Sequence, residues 1–184
     1  MSCRYARIAR VHPSESESSV ARVATRNRFA NHPSTPAIAA NSASLLTQTL
    51  RVYLEDTDAG GIVYHASWLR FFERARTDWL RDLGIEQSTL GPNAGIGFVV
   101  CDMQISFLRP GRLDQTIRTE LRLAEARRAS LSVTQTALDG SSGAELVRAT
   151  VRIAAIRLAD HRAAPLPRAL LTELANRGAL PKEP

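Results

Sequence analysis

Apolar residues recur at helical spacing over one long segment in the first half of the chain. The segment begins at about residue 65 or 66 and ends at Leu83, where the following Gly84 suits a left-handed helix end. Most charged residues of the segment fall on the opposite side, which is typical of an amphipathic helix. The apolar positions are Trp68, Phe71, Phe72, Ala75, Trp79 and Leu83. We expect these side chains to face the core of the fold.

Apolar and polar residues alternate with a period of two in the later part of the chain. This period covers residues 98–107, 117–123 and 131–137, and residues 147–158 form a further β-rich run. The segment 139–143, Asp-Gly-Ser-Ser-Gly, separates the last two runs and is typical of a hairpin turn. Residues 49–54 form a strand-like run before the long helix. A last helix is predicted over 168–176, after Pro165 and Pro167.

The order of these elements is a strand, one long helix and then at least four strands. Since no helices connect the later strands, the order predicts a mainly antiparallel sheet and an α+β fold. The apolar stripe of the helix is expected to lie against one face of that sheet. The other face and the edges of the sheet need cover as well, so we expect a homo-oligomer.

The first 46 residues differ in composition from the rest. They are rich in Ser, Ala, Arg and Asn and show no sustained period, so they predict a disordered N-terminal extension. An organellar transit peptide has a similar composition, and a solvated tail explains it equally well. We expect residues 47–178 to form one domain and residues 179–184 a short C-terminal tail.

The charge of the chain does not favour a nucleic-acid partner. The net charge is +6, but the first 46 residues carry six arginines against two glutamates, which leaves the remainder close to neutral. No basic face with interleaved aromatic residues is visible there. The two cysteines, Cys3 and Cys101, cannot form a multi-disulfide scaffold or a zinc site of thiolates. Without an apolar run of about 18 residues or a secretory signal, we expect a cytoplasmic protein that has no transmembrane segment.

The candidate chemistry lies between the first strand and the long helix. Carboxylates stand at the strand end, a pair of glycines follows, and a histidine comes where the helix begins. Glycines let the backbone turn tightly, and the first amides of a helix lack acceptors and favour negative charge. A carboxylate beside such amides suits acyl transfer, in which a carbonyl oxygen becomes an oxyanion. The run is Glu55-Asp56-Thr57-Asp58-Ala59-Gly60-Gly61-Ile62-Val63-Tyr64-His65.

Residues 52–67, followed by the Phe-Glu-Arg-Ala-Arg-Thr run 72–77, resemble the signature of the 4-hydroxybenzoyl-CoA thioesterase family, which has the hotdog fold. Within that family they are most similar to the acyl-CoA thioesterases associated with the bacterial Tol-Pal system. The resemblance covers about 47–176, including the turn 109–114, but not the extension. It implies acyl-CoA hydrolysis between paired protomers, in a tetramer of hotdog dimers, with no metal or redox cofactor. Peripheral association with the cell envelope is left open.

By matching position, the resemblance assigns the catalytic carboxylate to Asp58 and the donor to the thioester oxygen to the backbone N–H of His65. We expect Gly60, Gly61 and Tyr64 to bind substrate. Asp58 can activate water as a general base or attack the thioester directly, and the sequence does not separate these routes. The ring of His65 either packs or transfers a proton.

Structural interpretations compete with several of these assignments. Asp58 can be a turn or capping residue, and Asp56 is expected to be structural, although it and Glu55 are candidates for shifting the pKa of Asp58. Glu73 is a second candidate carboxylate, because another group of hotdog thioesterases places it on this helix. A surface pair of Glu73 with Arg70, Arg76 or Thr77 is the favoured explanation.

Other assignments and functions stay open at this level. Four arginines either hold CoA phosphates or are solvated charges at strand edges. A hotdog hydratase or dehydratase, an acyl-CoA-binding sensor and an envelope-associated scaffold are the alternative functions, and release of a free thiol from acyl-CoA distinguishes a thioesterase from all three. The four arginines are Arg109, Arg112, Arg127 and Arg128.

Overall fold

One long helix packs against an antiparallel sheet of six strands. The computed structural model describes residues 38–39 and 45–180, with side chains for 45–180. The helices are α1 (His65–Asp82), α2 (Gln87–Ala94) and α3 (Arg168–Asn176), and a short 3-10 helix spans Leu54–Asp56. The strands are β1 (Ile38–Ala39), β2 (Leu46–Arg51), β3 (Ile96–Phe107), β4 (Thr116–Arg127), β5 (Ser130–Asp139) and β6 (Glu145–Arg157).

The sheet has the strand order β1–β4–β5–β6–β3, and β2 pairs with β4 beside β1. Strands β4, β5 and β6 follow one another as hairpins, whereas β3 pairs with the far side of β6 although it precedes β4 in the chain. Every pairing is antiparallel, as expected from the absence of connecting helices. The predicted α+β class, one helix against a mainly antiparallel sheet, is confirmed.

The aromatic residues of α1 hold the helix on the sheet. Trp68, Phe71, Phe72 and Trp79 are all buried, as the helical spacing predicted, and they share one core with apolar residues of β4, β5 and β6. Truncation of a buried aromatic side chain to alanine costs about 3–5 kcal/mol, so these contacts strongly disfavour other positions of the helix. The start of α1 therefore occupies a fixed place beside the strands.

A polar pair lies inside this core. Nη1 of Arg76 donates to Oε1 of Gln135 on β5 at 2.7 Å, and Nε2 of Gln135 donates to the carbonyl oxygen of Phe72 at 2.9 Å. Burial lowers the pKa of Arg76 from its ordinary value, because the charged form loses solvation. The sequence pattern did not anticipate a buried arginine on α1.

Strand β2, the strand before the long helix, ends earlier than the sequence predicted. The strand-like run 49–54 corresponds to β2, which ends at Arg51, and the chain then enters the 3-10 helix. The carboxylate of Asp56 causes this turn, since its Oδ2 accepts the amide of Tyr53 at 3.0 Å while the Asp56 amide donates back to the Tyr53 carbonyl. A polar side chain that bonds to a nearby backbone amide competes with strand pairing.

Two further elements differ from their predictions, and one matches. Helix α2 was not predicted, because it contains Pro92 and has no buried residue to produce an apolar period. In β3 the register shifts at Cys101, which is exposed, so the alternation predicted over 98–107 does not give one continuous buried face. The predicted helix over 168–176 is confirmed as α3.

The predicted disordered extension, 1–46, falls mostly outside the described residues, as does most of the predicted C-terminal tail. Within the extension, Ile38 and Ala39 pair with Ala126 and Glu125 of β4. The domain boundaries stay predictions. In the described part of the chain, no helix combines the length and the apolar character needed to cross a membrane.

Candidate active site

Residues 57–63 form a tight hairpin that presents Asp58. Thr57 and Val63 are bridge partners, and the Asp58 amide donates to the carbonyl of Ile62 at 2.9 Å. The Gly61 amide donates to the Asp58 carbonyl at 3.0 Å, and Gly61 has a φ of 69°. A hairpin loop of this length needs a left-handed residue at that position, and glycine adopts the conformation without steric cost. The predicted Gly-Gly bend is therefore present, and it fixes the backbone of Asp58.

The carboxylate of Asp58 is held on one side only. Its Oδ1 accepts the amide of Gly60 at 2.8 Å, and a Cβ at position 60 would lie 3.1 Å from the same oxygen. The side chain is exposed, and Oδ2 has no hydrogen-bond partner among residues 45–180. One oxygen thus keeps the carboxylate in place, while the other is available to water or to a substrate.

The start of α1 provides unpaired amide donors. The Tyr64 amide donates to the Asp56 carbonyl, and the Ser67 amide donates to the Tyr64 carbonyl, each at 2.8 Å. The amides of His65 and Ala66 have no acceptor in the described part of the chain, and no side chain caps the helix. The N-terminus of a helix carries about half a positive charge, so these amides form a site suited to an oxyanion.

The side chains of Tyr64 and His65 contact each other at the helix start. Their ring centroids are 4.3 Å apart with the planes at 54°, and both residues are exposed. Tyr64 is thus accessible to a ligand, as a substrate-binding residue must be. The packing interpretation of the His65 ring agrees with this contact, and proton transfer by the ring stays a prediction.

Asp56 is an anchor between the hairpin and α1. Its side chain is buried, with the residue only 4% exposed, and Oδ1 lies 4.0 Å from Nη2 of Arg70. The same Nη2 donates to Oγ of the buried Ser67 at 2.8 Å. Together with the hydrogen bonds that Asp56 accepts from the backbone amides of Tyr53 and Tyr64, these contacts support the structural interpretation of Asp56. Glu55, the other proposed neighbour of Asp58, is exposed.

The second candidate carboxylate, Glu73, and the cavity between β2 and α1 both lie away from the hairpin 57–63. Glu73 is exposed, and its Oε1 accepts a hydrogen bond from the Thr77 hydroxyl at 2.8 Å. This contact matches one of the surface pairs favoured by the sequence. A cavity of about 300 Å³ lies between β2 and α1. It is lined by Gln48, Thr49, Leu50, Phe71, Arg74 and Asp78, none of which belongs to the hairpin. Among residues 45–180, no three His, Cys, Asp or Glu side chains gather in a position to share a metal ion.

The segment 109–115 completes the site from the far side of the hairpin. The Val63 amide donates to the Gly111 carbonyl at 2.9 Å, and Ile62 and Arg112 are bridge partners. A Cβ at position 111 would lie 2.8 Å from Cζ2 of Trp68 and 2.8 Å from Cγ2 of Val63. The sequence predicted a turn here, but its place beside the hairpin 57–63 was missed. The only available signal was the glycine, since a close backbone contact often requires one.

A free carboxylate oxygen near unpaired helix amides suits acyl transfer, and the family of the chain agrees with that chemistry. A profile of the thioesterase-like superfamily matches residues 52–174, which include the hairpin and all of α1. The chain belongs to this superfamily. The thioesterase resemblance seen in residues 52–77 is thereby confirmed, together with the hotdog fold and the assignment as an enzyme.

This thioesterase is similar to several known proteins. The acyl-CoA thioesterase YbgC of Haemophilus influenzae is 38% identical over 119 residues, which cover 65% of this chain and 86% of that protein. The acyl-CoA thioester hydrolase YbgC of Escherichia coli is 42% identical over 94 residues, or 51% of this chain and 69% of that protein. The crystal structure of a probable thioesterase from Bartonella henselae is 36% identical, with a TM-score of 0.62, and the match covers 68% of this chain and 100% of that one.

Proposed function

We propose that this thioesterase hydrolyses acyl-CoA to a free acid and CoA, with Asp58 as the catalytic carboxylate. The observation that carries the proposal is that Asp58 has a free carboxylate oxygen and that His65 and Ala66 have free amides in the described part of the chain. The two segments are joined by the hydrogen bond from the Tyr64 amide to the Asp56 carbonyl. The names of the two YbgC relatives support acyl-CoA as the substrate class.

The amides account for the stabilisation of the transition state. Attack on the thioester carbon moves an electron pair onto the carbonyl oxygen, and the His65 amide, with Ala66 beside it, donates to that oxygen. Removal of one such donor costs about 2.7–4 kcal/mol in a well-studied hydrolase. The polarity of α1 adds to the same effect, because its positive end points toward the developing charge.

Asp58 can begin the hydrolysis of the thioester by either of two routes. As a base, it takes a proton from water, the hydroxide adds to the carbonyl carbon, and the intermediate breaks its C–S bond to release the CoA thiolate, which then takes a proton. As a nucleophile, its carboxylate forms the new bond to carbon, the thiolate leaves, and water cleaves the mixed anhydride. Rapid quenching followed by mass spectrometry separates them, since an acyl group on the peptide containing Asp58 forms only on the second route.

The test is thiol release from short-, medium- and long-chain and aromatic acyl-CoAs. Asp58→Asn keeps an oxygen that can accept the Gly60 amide, so the hairpin is retained, but kcat is expected to fall at least about 100-fold. Asp160→Asn, an exposed carboxylate in the turn after β6, is the matched control and should keep the wild-type kcat. Absence of thiol release from every substrate would contradict the function, and near-wild-type turnover by Asp58→Asn would contradict the role of Asp58.

The variant His65→Ala distinguishes the role of the backbone amide of this residue from the role of its ring. If only the amide acts, the variant keeps the donor and loses little rate. A loss of about 100-fold or more would assign proton transfer to the ring instead.

The free edge of β3 supports a homodimer as the active form. This strand has 12 residues, and within the described chain it pairs only with β6. Val100 and Phe107 on it are 42% and 40% exposed. A long edge strand with exposed apolar residues favours pairing with a second copy, which would bring further residues to the acyl pocket. We propose a tetramer of two such dimers.

The assembly is tested by light scattering on the purified protein. Val100→Lys places a charge on the edge of β3, and it should give monomers with reduced thiol release. A variant that stays oligomeric and active would contradict this interface. The cytoplasmic location and the Tol-Pal association are further proposals from the resemblance, which fractionation and co-purification with Tol-Pal proteins would test.

A further inference from the structure

Gln115 uses its backbone and both ends of its side chain in hydrogen bonds. Its carbonyl accepts the amide of Val52, just after β2, at 3.0 Å, and its amide donates to the carbonyl of Arg112 at 3.2 Å. Its Oε1 accepts the amide of Arg112 at 2.8 Å, and its Nε2 donates to Oδ2 of Asp139. A single half-buried residue therefore joins the chain after β2, the segment 109–115 and the end of β5.

The carboxylate of Asp139 is oriented by the turn that follows β5. Its Oδ1 accepts the backbone amides of Ser141 and Ser142 at 2.9 Å and 2.7 Å, and it also accepts both serine hydroxyls. The other oxygen, Oδ2, accepts the side chain of Gln115. The turn thus fixes the direction from which Asp139 holds Gln115.

The segment 109–115 supports the hairpin that bears Asp58. Arg112 in this segment is the bridge partner of Ile62. The carbonyl of Ile62 accepts the amide of Asp58 at 2.9 Å. Since coupling between sites travels through contiguous hydrogen bonds, a shift of Arg112 displaces the backbone of Asp58.

The backbone between Arg112 and Gln115 is strained. Asp114 has a φ of 64°, in the left-handed region that is costly for a residue with a side chain. Such a conformation persists only where the surrounding contacts hold it. The carboxylate of Asp114 pairs with Arg51 at 2.9 Å, but both side chains are more than half exposed, and such a surface pair stabilises little. The hydrogen bond from the Arg112 amide to the Gln115 side chain is therefore needed to keep the segment in this shape.

We infer that the side chain of Gln115 positions Asp58 for catalysis by holding the segment 109–115 against the end of β5. The inference rests on the proposed role of Asp58 in thioester hydrolysis. Gln115 is a positioning residue, because it acts through the backbone of the segment and the hairpin. Misplacement of a reacting group by about 1 Å can lower a rate by about 100-fold, so the loss of this side chain should appear in kcat.

The hydrogen bond between Gln115 and Asp139 can be reversed without changing its geometry. Gln115→Glu alone sets two carboxylates against each other, and Asp139→Asn alone leaves Nε2 of Gln115 without its acceptor. In the double variant, the amide introduced at position 139 donates to the carboxylate introduced at position 115. Each position also keeps an oxygen for its other contacts, the Arg112 amide at 115 and the serine amides at 139.

The first measurement is the kcat and KM of thiol release from one acyl-CoA. Gln115→Glu and Asp139→Asn should each lower kcat by roughly 10- to 100-fold and leave KM little changed, because no group that binds substrate is removed. The double variant should recover most of the loss. Asp160→Asn is the matched control, since its carboxylate also accepts a backbone amide in a turn, that of Arg162 at 3.2 Å, and it should keep the wild-type kcat.

Urea unfolding of the same proteins separates positioning from a structural role. A single variant that loses stability but keeps the wild-type kcat would overturn the inference, because Gln115 would then only support the fold. A double variant that is as slow as the single variants would overturn it as well, since the restored hydrogen bond would not restore the position of Asp58.

Hydrogen–deuterium exchange of the peptide containing residues 57–63 tests the link independently of turnover. Its amides should exchange faster in both single variants than in the wild type, and the double variant should restore the slow exchange. Exchange that is the same in all four proteins would overturn the inference whatever their activity. A wild-type protein that shows this pattern of exchange but releases no thiol would contradict only the proposed function.

Discussion

The backbone carbonyl of Asp56 accepts the amide of Tyr64 at 2.8 Å, so the residue before α1 is tied directly to the turn before the hairpin. The carboxylate of the same aspartate accepts the amide of Tyr53 and lies beside Arg70. Asp58 is two residues further along. The distance between its carboxylate and the free amides of α1 therefore depends on Asp56, which need not touch the substrate.

Replacement of Asp56 by alanine is expected to lower both stability and turnover. The change leaves the Tyr53 amide without its acceptor and removes the carboxylate beside Arg70, which should reduce the free energy of unfolding by about 1–3 kcal/mol. Asp56→Asn keeps an acceptor oxygen and should lose less. Urea unfolding and thiol release measure the two effects, and a fully stable, fully active Asp56→Ala would show that the turn does not need this carboxylate.

The two glycines of the hairpin have different roles, and alanine at each should separate them. A Cβ at position 60 would press on Oδ1 of Asp58, so Gly60→Ala should lower kcat by about two- to tenfold through displacement of the carboxylate. A Cβ at position 61 would meet no atom within 4 Å, but the φ of 69° strains any residue with a side chain. Gly61→Ala should therefore cost about 1–2 kcal/mol of stability.

Both variants need the same two measurements, kcat and the free energy of unfolding. The expected pattern is a larger effect on kcat at position 60 and a larger effect on stability at position 61. The reverse pattern would mean that the carboxylate is not held by the Gly60 amide in the active enzyme.

The elements that the sequence predicted well are those determined by local patterns. The spacing of Trp68, Phe72 and Trp79 defined α1, and the adjacent glycines defined the bend that holds Asp58. The contacts between distant residues could not be predicted from one sequence. Arg76 can be buried because Gln135, 59 residues away, accepts a hydrogen bond from its guanidinium. Arg112 contacts the hairpin through its bridge to Ile62. Periodicity carries no information about such pairs, because it describes only the nearest residues along the chain.

The buried pair of Arg76 and Gln135 should show strong coupling in a double-mutant cycle. Gln135→Leu leaves the Arg76 guanidinium buried without its acceptor, and we expect a loss of about 2–3 kcal/mol in unfolding free energy. Arg76→Met combined with Gln135→Leu removes the charge as well, so the double variant should be more stable than Gln135→Leu alone. Urea unfolding of the four proteins measures the coupling. Additive losses would mean that the arginine reaches solvent when its partner is removed.

Asp139 should make stability depend on pH in the acidic range. Hydrogen bonds from the Ser141 hydroxyl, the Ser142 amide and the Gln115 side chain hold the pKa of Asp139 well below its ordinary value. A carboxylate whose pKa is depressed in the folded state stabilises that state when it is ionised. This contribution is complete above the unfolded-state pKa of about 3.9, and it is lost as the pH falls below that value toward the folded-state pKa.

Asp139→Asn removes the charge at every pH, so its Tm should lie below that of the wild type at pH 7. The difference should narrow as the pH is lowered from about 4 to 2, because the carboxyl of the unfolded wild type then binds a proton that the folded state does not bind. Glu55→Gln, at an exposed carboxylate of the 3-10 helix, is the control. Scanning calorimetry at several pH values measures the effect. A Tm difference between Asp139→Asn and the wild type that is the same at pH 7 and pH 3 would show that these hydrogen bonds do not favour the ionised form.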